Sequence, residues 1–245
     1  MEIEYHISSE DKIFLKSKKN VFAPNTTTDL LIDSVRKKIN QPAKILDLGC
    51  GTGAVSVALF YEGLINEKIY ASDLCVDATE CCEINFERHQ CPGEVRNGSM
   101  FEPWKNEQFD VIIDDISGIA EEIAAVSPWF PGVPCKSGKD GTDLVSQIII
   151  NSPEYLSKNG FLFFPVLSLS NKRVILEKAY QRFSFVEKLI KKEWPLPKEL
   201  INHKELIIDL QKRELIEFEE RFGMILCYTE VYCASQPKLT KEIKG

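Results

Sequence analysis

The densest chemistry in this sequence lies in nine residues, Ile45-Leu46-Asp47-Leu48-Gly49-Cys50-Gly51-Thr52-Gly53. An acidic side chain is followed by three glycines at alternate positions. Glycines let a backbone turn sharply and come close to a ligand with no Cβ in the way. A helix starting directly after them, over Ala54 to Tyr61, would leave its first N–H groups free for polar ligand atoms. Asp47 narrows the choice of ligand. A carboxylate aimed at the turn repels a pyrophosphate and suits a cation. Gly49, Gly51 and Ala54 also satisfy the relaxed G-x-G-x-x-G/A fingerprint, so nicotinamide or flavin binding is a rival reading and a plain structural turn a third.

Further carboxylates follow at strand ends. Asp73 closes a strand expected over Lys68–Ser72, where an acidic residue can accept hydrogen bonds from both hydroxyls of a ribose. Asp114 and Asp115 sit at the end of a strand expected over Phe109–Asp114. Adjacent side chains on a strand point to opposite faces, so one of the two, Asp115, is read as orienting an amine or hydroxyl. Burial would raise its pKa towards that of a base. The bland alternative for Asp115 is a helix N-cap or a loop hydrogen bond. Trp129 and Phe130, in Ser127-Pro128-Trp129-Phe130-Pro131-Gly132, either wall a pocket or plug their loop against the sheet. Trp194-Pro195-Leu196-Pro197 reads equally as core or lid. His6, His89 and His203 have no partner pattern and receive no role, and Lys16-Ser17-Lys18-Lys19 reads as a solvated turn. The eight cysteines contain no C-x-x-C pair, which argues against zinc and for small buried hydrophobes in a reducing compartment.

These residues need a scaffold. The glycine turn lies between a short apolar run, Lys44 to Leu48, and the helical pattern after it. Strand and helix patterns then alternate: a helix over Asp77–Arg88, a strand near Glu94–Asn97, and the continuously apolar Val111-Ile112-Ile113 of a doubly covered strand. A helix over Thr142–Leu156 is expected to end at Asn159-Gly160, before a strand over Phe161–Phe164 stopped by Pro165. A helix over Lys172–Phe183, a strand near Phe185–Ile190, helical residues 197–221 and a last strand over Met224–Cys233 complete the pattern. Pro237–Gly245 reads as a frayed tail. The expected fold is α/β: a Rossmann-like, seven-stranded, mostly parallel sheet with helices on both faces and an antiparallel last strand. It would form one domain over residues 1–245, with an N-terminal cap segment (1–40), a cofactor-binding core (41–190) and a helical insertion (191–222). Residues 116–141 form a long connection at the carboxyl end of a central strand, where such folds bind ligands.

At 245 residues with 44% hydrophobic and 27% charged side chains, the composition is that of a globular enzyme. A net charge of −7 argues against a nucleic-acid backbone as partner. No secretory signal or membrane-length apolar run is visible, so the expected location is the cytoplasm.

The segment around Asp47 resembles motif I of the class I S-adenosylmethionine-dependent methyltransferases, whose cofactor carries a sulfonium and an ammonium. Val21-Phe22-Ala23-Pro24-Asn25-Thr26-Thr27-Thr28-Asp29-Leu30-Leu31 is similar to the proline-containing segment before motif I in their HemK-type, release-factor glutamine branch. Gly98-Ser99-Met100-Phe101-Glu102-Pro103, Phe109-Asp110-Val111-Ile112-Ile113 and Ser137-Gly138-Lys139-Asp140-Gly141 match further landmarks, so the likeness covers roughly residues 21–190. It breaks at the acceptor motif, where Asp115-Ile116-Ser117-Gly118 stands in place of Asn-Pro-Pro-Tyr, and at Ser99, where the family usually has Asp. The family's glutamine specificity is therefore not carried over. The resemblance implies S-adenosylmethionine as cofactor, with Asp47 at its ammonium and Asp73 at its ribose. Gly49, Cys50, Gly51, Gly53, Leu74, Ser99, Met100 and Asp114 would complete the cofactor contacts. Thr28, Ser117, Trp129 and Phe130 would face the acceptor and Asp115 would be catalytic, with no metal. The expected activity is methyl transfer to an N or O atom of a small molecule or of a peptide or protein side chain. A nucleic-acid (rRNA, tRNA or DNA) methyltransferase and a non-catalytic cofactor-binding partner subunit are the alternatives. The oligomeric state is not legible.

Overall fold

The chain opens on a hairpin, β1 (Glu2–His6) and β2 (Lys12–Lys16), whose inward residues Tyr5, Ile13 and Leu15 are buried. The computed structural model describes residues 1–7, 11–116, 118–130 and 135–238. After α1 (Thr26–Lys38) come β3 (Ile45–Leu48), α2 (Ala54–Tyr61), β4 (Ile69–Asp73), α3 (Val76–Arg88), β5 (Gly93–Asn97) and β6 (Phe109–Asp114). The second half contains α4 (Glu121–Ala124), α5 (Asp143–Asn151), β7 (Leu156–Leu167), α6 (Lys172–Arg182) and β8 (Phe183–Pro195). It ends with α7 (Lys198–Ile201), α8 (Lys204–Lys212), β9 (Glu219–Arg221) and β10 (Met224–Pro237).

The main sheet has the order β5-β4-β3-β6-β7-β10-β8, with β9 added beside β10. Pairing is parallel from β5 through β7, and β10 runs antiparallel to β7 and β8. This is the expected Rossmann-like sheet. Both faces are covered, which explains the unbroken apolar runs of its central strands. Ile45, Val111 and Ile113 join α1 and α2 residues such as Leu31 and Val57 on one face. Leu46, Leu48 and Ile112 pack with Ile148 and Ile175 of α5 and α6 on the other. Among the described residues no helix is long and apolar enough to cross a membrane.

Several element boundaries differ from expectation. The helix expected to reach Leu156 stops at Asn151, and a short 3-10 turn spans Ser152–Glu154. Pro153 has no N–H to continue the ladder, so Asn159-Gly160 is not a helix end but part of β7. A register shift against β6 jumps from Leu156 to Phe161, and at Gly160 an added Cβ would stand 3.1 Å from the Asp110 carbonyl. β7 runs on through Pro165, because beyond Phe163 only β10 lies beside it and no β6 partner needs that N–H. β8 extends to Pro195 rather than Ile190, and β10 to Pro237 rather than Cys233. The helical residues 197–221 are two short helices followed by β9. Of the expected tail, residues 239–245 lie outside the described residues. The terminal hairpin had no counterpart in the sequence reading, although Ile13 and Leu15 alternate with polar neighbours.

A third apolar cluster crowns the carboxyl end of the sheet. Ile119, Ala120 and Ile123, from the connection after β6, meet Leu196, Leu200, Ile207 and Leu210 from β8 to α8. Leu196 to Leu210 therefore buttress the segment that follows Asp115.

Candidate active site

The site is built on the carboxyl ends of β3, β4 and β6. The backbone N–H groups of Gly49 and Cys50 both donate to the Ser72 carbonyl of β4, at 2.9 and 3.0 Å. That fork closes the turn onto the neighbouring strand. Gly49 has φ +74°, and a Cβ there would lie 2.6 Å from Ile116 Cγ1, so the glycine lets the residue after Asp115 touch the turn. At Gly51 (φ +51°) an added Cβ would meet only the Phe22 carbonyl, at 3.7 Å, which leaves the middle of the turn open to a ligand. The Cys50 side chain is buried against Cys82 of α3, so only its backbone faces the turn.

Asp47 is fully buried within β3. Its Oδ2 accepts a 2.6 Å hydrogen bond from Ser56 Oγ, and its Oδ1 has no partner among the described residues. Burial pushes its pKa up to about 6 against the lowering effect of Ser56, with Asp73 adding to the rise. Ser56 was missed in the sequence, although a lone serine within Ala54-Val55-Ser56-Val57-Ala58 signals a buried polar contact.

Asp73 ties the turn to β4. Its Oδ2 accepts from Gly51 N at 3.0 Å and its Oδ1 from Cys75 N at 2.8 Å. Desolvation raises its pKa, partly opposed by these backbone donors. Leu74, 74% exposed, presents apolar surface next to it. Asn97 Nδ2 donates to the carbonyls of Asp73 and Leu74, and Gly98 N also donates to Asp73 O. These bonds bring Ser99 and Met100 alongside; Met100 has φ +48° and packs against the α5–α6 core. Asn97 is a second supporting residue that local patterns did not reveal.

Asp114 and Asp115 divide as the strand geometry demands. Asp114 pairs in register with Leu48 and shares its face, while Asp47 shares the opposite face with Ile113. Asp114 Oδ1 accepts from Ile116 N at 2.9 Å, and its buried Oδ2 has no partner among the described residues. Burial lifts its pKa to about 7. Asp115 is half-buried and turns towards α1, where Thr28 Oγ1 donates to its Oδ2 at 3.0 Å. Desolvation, and next the Asp47 charge, push its pKa well above the usual carboxylate range. Thr28 also accepts from Asn25 N at 3.2 Å in the capping box that starts α1. Tyr5 of the hairpin donates to Asp29 at 2.7 Å and feels the charge of Asp115. Nothing in the sequence had pointed to it.

The two aromatic residues both pack against the third cluster but meet different ring partners. Trp129 turns into the third cluster and meets Trp194 edge-on, with ring centroids 5.8 Å apart. Phe130 reaches Phe22, just before α1, at 5.3 Å. The connection itself is held by a glycine contact: a Cβ on Gly118 would lie 2.6 Å from the Gly141 carbonyl. Ser137 Oγ donates to Ile119 O beside it. Ser117 lies outside the described residues.

The orphaned Asp47 oxygen, the open centre of the glycine turn and the strand-end Asp73 together fit a ligand with a cation and a ribose. Residues 12–115 match the methyltransferase small domain family. That match, to a methyltransferase domain, takes in less than half of the chain. The domain is 28% identical to the release factor glutamine methyltransferase of Geobacter sulfurreducens over 148 residues, 58% of this chain and 52% of that protein. The chain thus spans about half the length of this curated relative. Among solved structures, the domain is similar to the T. thermophilus 16S rRNA N2 G1207 methyltransferase in complex with AdoMet and guanosine. The TM-score is 0.62 at 13% identity, covering 96% of this chain and 50% of that one. It is also similar to the E. cuniculi Mtq2–Trm112 complex, described as responsible for methylation of the eRF1 translation termination factor. There the TM-score is 0.52 at 13% identity, covering 89% of this chain and 99% of that one. At such identities the structural likeness speaks for the methyltransferase fold alone.

Proposed function

We propose that the protein is an active enzyme that moves the methyl group of S-adenosylmethionine to a proton-bearing nitrogen or oxygen of a peptide or protein side chain, or of a small molecule. The observation that carries this reading is the half-buried Asp115 carboxylate, held by Thr28 beside the glycine turn. The name of the Geobacter relative favours a protein acceptor, and the net charge of −7 disfavours nucleic acid.

When bound, the cofactor supplies a methyl group already activated by its sulfonium. The protein's work is alignment and handling of a proton. Asp47 would hold the ammonium through its free Oδ1, and Asp73, whose oxygens keep unused lone pairs, the ribose hydroxyls. Leu74 and Met100, with Ser99, would border the adenine. Thr28 occupies one oxygen of Asp115 and leaves Oδ1 to accept the acceptor's N–H or O–H. As the bond to carbon forms, that proton passes to Asp115. Phe130 and Phe22 would stand at the acceptor's entrance, whereas Trp129 anchors the loop to the insertion. A carboxylate both accepts a hydrogen bond and takes up a proton, which the amide side chain at this position in the HemK-type motif cannot do.

Incubating the protein with methyl-labelled S-adenosylmethionine and a fractionated lysate tests the reading. Label in protein or small metabolites is expected. Label confined to RNA or DNA would overturn the acceptor class, and no transfer in any fraction would overturn the activity.

A further inference from the structure

Four carboxylates stand at the neighbouring carboxyl ends of β3, β4 and β6: Asp47 feels the charge of Asp73, and Asp115 feels that of Asp47 on its own side and of Asp114 on the opposite face. Among the described residues none of them has a Lys, Arg or His partner. Their described hydrogen-bond donors are neutral: Ser56, Thr28 and the backbone N–H groups of Gly51, Cys75 and Ile116. Two carboxylate oxygens, Asp47 Oδ1 and Asp114 Oδ2, are fully buried and have no hydrogen bond among the described residues. The fold treats a buried carboxylate differently elsewhere. Glu230, 2% exposed, is met by Lys172 at 2.9 Å and Lys188 at 3.1 Å. Unpaired buried charge is avoided unless something neutralises it. Here a bound cation or a proton must do so.

We propose, resting on the methyltransferase reading above, that this carboxylate cluster responds to the charge at the cofactor's sulfur: binding S-adenosylmethionine expels protons from the cluster, and loss of the sulfonium charge lets a proton return and loosens the product. The transfer step balances. The bond from acceptor nitrogen or oxygen to hydrogen breaks and its electron pair stays on that atom, which bonds to the methyl carbon. The sulfur–methyl bond breaks with its electrons remaining on sulfur, and the proton goes to Asp115. One positive charge leaves the sulfur and one arrives on the carboxylate, so the charge inside the site is conserved.

Among the described residues, the groups facing the cluster carry no positive charge of their own. They are Tyr5 from β1, Asp29 from α1, Cys50 from the turn and Cys82 from α3, all neutral or anionic when they titrate. Burial lifts Asp47 to about 6 and Asp114 to about 7, so part of the cluster is protonated near neutral pH without ligand. A cation entering the site lowers these values, and protons leave.

Calorimetry on the wild-type protein tests this without any variant that must fold. S-adenosylmethionine and S-adenosylhomocysteine share the ammonium and the ribose and differ by one methyl and one positive charge at sulfur. Each is titrated at about pH 6.5 in phosphate and in imidazole, buffers with different ionisation heats, and the protons released are counted. The expected result is that S-adenosylmethionine releases more protons, by roughly half a proton or more, and that its affinity relative to S-adenosylhomocysteine rises at least about threefold from pH ~5.5 to ~8. Equal proton counts with a pH-independent affinity ratio would overturn the inference and leave the methyltransferase reading standing. Binding of neither ligand would overturn both.

Discussion

Thr28 Oγ1 donates to Asp115 Oδ2 at 3.0 Å, across 87 positions of the chain. The same threonine closes the capping box of α1 with Asn25, so the start of that helix and the proposed acceptor carboxylate are set by one side chain. From the other side, Ile116 lies against the Gly49 backbone of the glycine turn. Asp115 is thus fixed between the segment before the glycine turn and the turn itself.

Thr28→Val keeps the shape and removes the hydroxyl. Its expected effect on methyl transfer is a loss of about tenfold, equivalent to about 1.4 kcal/mol, with S-adenosylmethionine affinity within a few fold of wild type. Loss of the capping-box contact should cost about 1 kcal/mol in stability as well. Thr28→Ser, which restores the hydroxyl, should recover most of the rate. Single-turnover rates compared with thermal melts separate the two effects. A full rate in Thr28→Val would remove the hydrogen bond from the mechanism.

Asp114 makes the apo protein's stability depend on pH. Burial raises its pKa from 3.8 to about 7, so the folded state holds its proton more tightly than the unfolded chain. The favourable contribution is full below the unfolded value and drains away as pH climbs towards 7. Asp114→Asn keeps an oxygen for Ile116 N and carries no charge. It should leave the melting temperature near wild type at about pH 4, but raise stability by about 1–3 kcal/mol at about pH 7.5, or ~2–4 °C per kcal/mol for a chain of this size. Identical melting curves for the two proteins at the higher pH would show that Asp114 ionises without strain.

Gly141 joins two loops of the site at φ +74°, where a Cβ would stand 2.6 Å from the Ile119 carbonyl carbon. Gly141→Ala should cost about 1–3 kcal/mol and displace the 118–120 backbone. Chemical denaturation measures the cost. A stability within ~0.5 kcal/mol of wild type would mean the loops part easily.

The glycine turn and the helix after it were legible because both signals are local. Gly49, Gly51 and Gly53 mark the turn, and Ala54–Tyr61 is helical over the span its apolar pattern indicates. The division between Asp114 and Asp115 was legible too, since side-chain alternation along a strand is a property of the backbone. Boundaries failed where two stop signals competed: Pro153 ended α5 before Asn159-Gly160 could. The partnerships that shape the site lay beyond reach. Thr28 with Asp115, Asn97 with Asp73 and Tyr5 with Asp29 join different elements, and no periodicity encodes which elements meet. Trp129 and Phe130 illustrate the same limit. Neighbours in sequence and both packed against the third cluster, they meet ring partners far apart in the chain, Trp194 and Phe22.

The most direct test of the central claim is Asp115→Ala, assayed with the acceptor found by labelling and paired with calorimetry of S-adenosylmethionine binding. If Asp115 orients the acceptor and takes its proton, cofactor affinity stays within a few fold while single-turnover methyl transfer falls by ~100-fold or more, the usual cost of one positioned acid–base group. Methyl transfer at the wild-type rate by a correctly folded Asp115→Ala protein would contradict the account.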